Sequence, residues 1–221
     1  MFPALKNPYI LLALMVVFHI VSLAPMPNTV QREQRVNGRV CAILVDMQPF
    51  YLSRINDKEL KRETSYIFDT LEFCHRNGIP IIALEIEGAG MTEGDFKNKI
   101  DQYGAIYIRK DGDSGFCNTD LETELNRLHI DTLLLMGVNA SICVKATARD
   151  AINCGFSICT SKQLVAEPDE WRPGIKTYES VNWFIENGIY CDRYKDLLYV
   201  VANSSEYSEQ PYKPIPIAMI F

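Results

Sequence analysis

Histidine is scarce: only His19, His75 and His129 occur in 221 residues. No two cysteines form a CxxC pair, and no zinc-finger spacing occurs. These absences exclude a zinc-knit module. Basic residues are outnumbered, 22 against 28 acidic, giving a net charge of −6. They form no cluster, which excludes an electrostatic footprint for nucleic acid. Walker spacing is missing, so no phosphate-cradling loop is encoded. There is no internal repeat and no low-complexity tract. The composition, 48% hydrophobic and 23% charged, is that of a globular chain long enough for one full core.

Long apolar runs are also few, and the longest is N-terminal. "YILLALMVVFHIVSLA" (Tyr9–Ala24) is an apolar run of 16 residues preceded by Lys6. As a helix it would reach roughly 24 Å, less than the ~30 Å of a hydrocarbon core. The basic residue, apolar stretch and small residues at "SLA" fit a signal peptide, although Pro25 opposes cleavage there. An uncleaved anchor or an extra packed helix are the rival readings. Export or membrane attachment through residues 9–24 is the favoured expectation, with a cytoplasmic location as the alternative. Residues 1–38 are therefore set apart as an apolar segment and a polar linker, 39–203 as the folded domain, and 204–221 as an irregular tail. The seven cysteines are odd in number and several lie in apolar runs, so reduced, mostly structural thiols are expected.

The domain alternates apolar runs of strand length with helical periodicity. "RVCAILVDMQ", "IPIIALEIEG", "AIYIRK", "DTLLLMGV" and "FSICTSKQLVA" read as strands, and "DLLYVVA" as a sixth. Helices are predicted over 57–78, with Asp57 near the cap, and over 118–130, capped by Asn118 or Thr119 with Glu122 completing a capping box. Two more fall over 141–155 and 174–188. Strands apolar on both faces, alternating with helices, predict a three-layer α/β/α Rossmann-like sandwich around a mostly parallel sheet of about six strands.

In such sheets ligands bind beyond the carboxyl ends of the strands. Asp46 closes the first strand, Lys110 the third, and Cys143 follows the fourth across "GVNAS". Alone, Asp46 is as readily a turn cap, Lys110 a surface lysine and Cys143 a buried filler. Together they set a carboxylate, an ammonium and a thiol on one rim. The carboxylate can take the thiol proton and pass it to a leaving group. The ammonium and the helix start are expected to lower the thiol pKa, and the first helical N–H groups can receive an oxyanion.

The segments "ILVDMQPFYL", "YIRKDGDSGFCNTDLETEL" and "DTLLLMGVNASICVKATARDAINCGF" resemble the isochorismatase-like cysteine hydrolases. The shared features are Asp-x-Gln, the Lys followed by Ser114, Phe116, Thr119 and Leu121, and the G-V-x-x-x-x-C-V-x-x-T-A block. They run in family order over roughly 39–165. The resemblance implies a triad of Asp46, Lys110 and Cys143, and a cis peptide between Val138 and Asn139. It also implies an oxyanion hole from the N–H groups of Asn139 and Cys143, and thioester chemistry on a small amide or ureide. Such hydrolases often form homo-oligomers. Nicotinamidases of this family carry a metal held by Asp and His after the first strand. No His lies between His19 and His75 here, so no metal and no other cofactor is expected.

Gln48, Phe50, Glu87 and Phe116 are candidate pocket residues. The loop around Gly88, Gly90 and Thr92 is either a substrate loop or a plain connection. Cys117 is a second thiol near the rim; Trp171 and Trp183 read as packing or interface residues. Three functions stay open at this point: a cysteine amidohydrolase, an isochorismate-type vinyl-ether hydrolase using Asp46 as acid, and an inactive hydrolase scaffold used for binding.

Overall fold

Six consecutive residues of Val40–Val45 (β1) are buried, and so are all seven of Thr132–Val138 (β4). Burial on both faces needs cover on both faces, and side chains alternate along a strand. Ala42, Leu44, Leu134 and Met136 join one core; Cys41, Ile43, Val45, Leu133 and Leu135 join the other. These are the two interfaces of a three-layer sandwich. The computed structural model describes residues 36–167 and 176–204. The expectations for residues 9–24, Trp171 and the tail beyond Ser204 lie outside them.

After β1 come α1 (Pro49–Leu52), α2 (Asp57–Arg76), β2 (Ile81–Ile86), α3 (Gly94–Gln102), β3 (Ile106–Lys110) and α4 (Leu121–Arg127). β4 then leads through a π-helical turn (Ala140–Val144) into α5 (Lys145–Asn153). The chain closes with β5 (Ser157–Ser161), β6 (Val165–Ala166), α6 (Lys176–Asn187), β7 (Ile189–Cys191) and α7 (Tyr194–Ala202). The sheet order is β3-β2-β1-β4-β5-β7, with β6 beside β4, and every pairing is parallel. Successive strands run outward from β1 to β3, then the chain crosses back to β4. The β1/β4 boundary is thus the topological switch point, where an open α/β sheet leaves a crevice. α2, α3 and α7 supply Leu71, Ile100 and Leu197 to one core; α4, α5 and α6 supply Leu125, Ala148 and Phe184 to the other.

Some elements differ from the sequence reading. "DLLYVVA" is helix α7: Leu197, Leu198, Val201 and Ala202 are buried at helical spacing, while Lys195 and Tyr199 face solvent. β7 has three half-buried residues, too short a run to stand out in sequence. "FSICTSKQLVA" is two strands, because Leu164 N–H turns back to Ser161 O at 3.0 Å. That step moves the chain from the start of β4 to its carboxyl end, where Gly137 pairs with Val165. Asn56 caps α2 beside Asp57, its side chain accepting from Lys58 N–H at 3.0 Å. Thr119 accepts from Leu121 N–H at the start of α4. Val36 is buried in the core and Asn37 O accepts from Thr132 Oγ1 at 2.8 Å, so the end of the sequence linker is already part of the fold.

Candidate active site

β1 ends at Asp46, whose N–H still bonds Leu84 O at 3.0 Å but whose φ is +51°. Aspartate tolerates this left-handed conformation better than bulky residues. It turns the chain out of the sheet, so that Pro49 can begin α1. Lys110, the last residue of β3, reaches back across β2. Its Nζ lies 2.9 Å from Asp46 Oδ2, and both side chains are fully excluded from solvent. Nζ also donates to Gly112 O at 3.0 Å and Asp113 O at 3.3 Å. All three ammonium protons are therefore placed.

Asp46 Oδ1 is buried with no regular hydrogen-bond donor. The Cys143 thiol couples to the same carboxylate. Burial first, and then the Asp46 charge, push that thiol up to about 12; Lys110 and the Asn139 amide pull the other way without prevailing. Burial also raises the Asp46 carboxyl, opposed chiefly by Lys110. The expected acidified thiol is thus corrected: at 2% exposure, desolvation outweighs the ammonium and the helix start. Burial thus raises both partners, the thiol and the carboxyl, above their ordinary ranges.

Cys143 sits in the π-turn, not in regular α-helix. Gly137 precedes it with φ +124°, pressed so closely on β1 that a Cβ would fall 2.2 Å from Val45 O. Every peptide bond among the described residues is trans, so the expected cis bond at Val138–Asn139 is not present. The reversal is made instead by Gly137, by Asn139 at φ −12° and ψ 98°, and by the π-turn. Asn139 O accepts from both Ile142 N–H and Val144 N–H at 3.1 Å. The Asn139 side chain donates to Cys143 Sγ at 3.7 Å. Glu167, just past β6, accepts from Ser141 N–H at 2.7 Å and Ser141 Oγ at 2.6 Å.

The loop after Lys110 is tied to the helix after Cys143. Thr147 Oγ1 accepts from Gly115 N–H at 2.9 Å, and Ser114 hydrogen-bonds Asp150. Thr119 Oγ1 donates back to Gly115 O. Thr147 and Thr119 are the threonines of the sequence blocks, and here they join the ammonium to the thiol mechanically.

The remaining candidates divide. Gln48 is fully buried and clamps the β2–α3 loop, donating to Ile86 O at 2.9 Å and Gly90 O at 2.6 Å and accepting from Ile86 N–H at 2.9 Å. Glu85 accepts from Thr92 N–H at 2.7 Å, so this loop is pinned at both ends. Glu87 is exposed, although its N–H bonds Lys110 O at 2.9 Å. Phe50 is 42% exposed beneath the Arg54 guanidinium, 3.8 Å from its ring. Phe116 packs on Phe156 in the second core. Cys117 is exposed. The aromatic turned inward is Tyr51, which sequence reasoning missed. Burial, and then the Asp46 charge, push its phenol up to about 12. Among the described residues no three His, Cys, Asp or Glu side chains converge as metal ligands, and no helix is long and apolar enough to cross a membrane.

A family model, the isochorismatase domain, matches residues 40–179. An isochorismatase family protein PncA from Bacillus subtilis is 48% identical over 60 residues, 27% of this chain and 33% of that one. N-carbamoylsarcosine amidase from an Arthrobacter species is 36% identical over 64 residues, 29% and 24% of the two chains. The chain thus spans about a third or less of the length of these relatives. Nicotinamidase PncA from Bacillus subtilis superposes with a TM-score of 0.61 at 19% identity, covering 70% of this chain and 100% of that one. N-carbamoylsarcosine amidase from Thermoplasma acidophilum gives 0.58 at 24%, covering 71% and 97%. At these identities the superpositions establish the shared fold.

Proposed function

The chain belongs to the isochorismatase domain family, and from that premise we propose that it is a cysteine-dependent hydrolase cleaving the C–N bond of a small amide or ureide. One observation carries the reading. A fully buried Asp46–Lys110 pair, 2.9 Å apart, stands at the switch point of the sheet with the Cys143 thiol coupled to its carboxylate. A buried ion pair is a poor device for stability alone. A centre so enclosed suits a small molecule.

Burial holds the thiol well above its ordinary range, so it rests protonated at neutral pH. The proton therefore moves to Asp46 as sulfur attacks. The S–C bond forms, the carbonyl π pair moves to oxygen, and Lys110 keeps the carboxyl oriented. The backbone N–H groups of Asn139 and Cys143 receive the oxyanion. As the tetrahedral centre collapses, the C–N bond breaks and nitrogen takes the proton from Asp46. Water then gives a proton to Asp46 and its oxygen to the thioester carbon, and the sulfur leaves and regains its proton. The residues after β1, Met47 to Ile55, include no histidine, so the donor set does not fit a nicotinamidase-type ion and no step runs through one.

The test is turnover of small amides and ureides by the parent and by Cys143→Ala, with intact-mass detection of an acyl adduct. Turnover lost in the variant, with an adduct in the parent, is the expected result. The raised Asp46 carboxyl favours one rival, acid cleavage of a vinyl ether, and Cys143→Ala that still hydrolyses its substrate selects that rival.

A further inference from the structure

Strand β6 is only two residues long, yet the chain makes a detour to build it. The turn at Lys162–Leu164 carries the backbone from β5 to the far end of β4. Leu164 O accepts from Gly137 N–H at 2.8 Å, Val165 pairs with Gly137 and Ala166 with Val138. The next register position brings Glu167 beside Asn139, at the mouth of the π-turn. There its carboxylate is half-buried and takes both donors of Ser141, the backbone N–H at 2.7 Å and the hydroxyl at 2.6 Å.

This contact is local to the turn that bears the nucleophile. Ser141 lies two residues before Cys143. The amides of Ile142 and Val144 already point to Asn139 O. Glu167 fixes the Ser141 amide, which lies along the chain between the Asn139 and Cys143 amides of the proposed oxyanion site. A carboxylate also suits the amino end of the continuous helical stretch Ala140–Asn153. The charges that bear most on the Cys143 thiol are those of Asp46 and Lys110, while the contacts of Glu167 are with Ser141.

We infer that Glu167 is a positioning residue: by holding Ser141 it orients the N–H groups of the Cys143 turn that receive the tetrahedral oxyanion. This rests on the proposed cysteine chemistry and deepens it. It separates two properties of one residue, the reactivity of the sulfur and the binding of the oxygen.

Two probes read those properties on the full chain. Iodoacetamide alkylation of Cys143, followed by peptide mass spectrometry across pH, reads the sulfur and its base. Propionaldehyde reads the oxygen. Its carbonyl accepts the sulfur, the S–C bond forms, and the thiol proton passes to the carbonyl oxygen, giving a thiohemiacetal that shields Cys143 from alkylation. The concentration giving half-protection measures how well the turn receives that oxygen.

Glu167→Ala should weaken aldehyde protection by about 10-fold or more, since misaimed oxyanion donors lose much of their worth. Its alkylation rate and pH profile should match the parent. Glu167→Gln should restore protection, because its amide oxygen still accepts from Ser141 N–H and its nitrogen can donate to the hydroxyl. Protection equal to the parent in Glu167→Ala overturns the inference and leaves the hydrolase reading standing. Protection and alkylation falling together, with no rescue by Glu167→Gln, shows a merely structural cap and also overturns it. A parent that turns over no amide or ureide and forms no acyl adduct on Cys143 overturns the hydrolase reading, and this inference with it.

Discussion

Lys110 Nζ and Asp46 Oδ2 are 2.9 Å apart with neither side chain exposed, and they come from strands separated by β2. Removing one partner strands the other charge in the interior, at a cost of about 3–5 kcal/mol. Asp46→Asn and Lys110→Met should each lower the urea midpoint by that measure and abolish turnover. The double variant should regain much of the stability, because a neutral pair no longer carries an unpaired charge, and none of the activity. Urea titrations of the four proteins give the coupling directly. A double variant as unstable as the sum of the singles would show that the two groups do not act as a pair.

Tyr51 is held against the same centre. Tyr51→Phe keeps the ring and removes the hydroxyl. Fold stability should change by about 1 kcal/mol or less. If the phenol faces substrate, KM should rise while the pH dependence of Cys143 alkylation stays put. A shifted alkylation profile would instead place the hydroxyl in the proton path of Asp46.

How much of this was legible beforehand follows from what burial writes into sequence. β1 and β4 are buried on both faces, so they appear as unbroken apolar runs, and the parallel sheet follows. Asp46 and Lys110 stand at strand ends and Cys143 in the turn after β4, positions the strand pattern shows; their joint role is what the family resemblance implies. The α7 run reads as a strand because a helix lodged against a sheet also shows a short, nearly continuous apolar run, and length alone does not separate the two. Tyr51 is absent from the sequence reading because nothing in "QPFYL" says which aromatic turns inward. That is decided by the +51° φ of Asp46 and the entry into α1. The thiol was expected to be acidic, since ammonium and helix start are visible in sequence and desolvation is not. Glu167 lay outside every motif; its only signal is the turn that splits β5 from β6.

Gly137 and Gly115 are both closely packed, but against different things. A Cβ on Gly137 would lie 2.2 Å from Val45 O, backbone of the central strand, at a φ of +124°. A Cβ on Gly115 would meet Leu84 Cδ1 at 2.4 Å, the end of a flexible side chain. Gly137→Ala should therefore cost several kcal/mol, while Gly115→Ala should cost roughly 1–3 kcal/mol. Thermal unfolding of the two variants ranks them. Equal losses would mean that the β1/β4 approach can relax.

Glu63 offers the clearest pH test, because it lies on α2 and is no part of the proposed chemistry. It is 7% exposed, and its Oε2 has no hydrogen-bond partner. Burial, and then Glu59, push its carboxyl up to about 8, with Arg62 at 3.9 Å opposing weakly. The folded protein then holds a proton that the unfolded chain releases near 4.5. Between those values the native state binds more protons, so stability must fall as pH rises. Its contribution is whole below about pH 4.5 and lost by about pH 8. Glu63→Gln puts a neutral amide where the protonated acid sits, and should flatten that decline. At pH 8 the variant should be more stable than the parent by about 2–4 kcal/mol, and at pH 4.5 nearly equal to it. Urea unfolding at those two pH values decides the point: a parent and variant that keep the same difference at both would mean that Glu63 is ionised in the folded protein throughout.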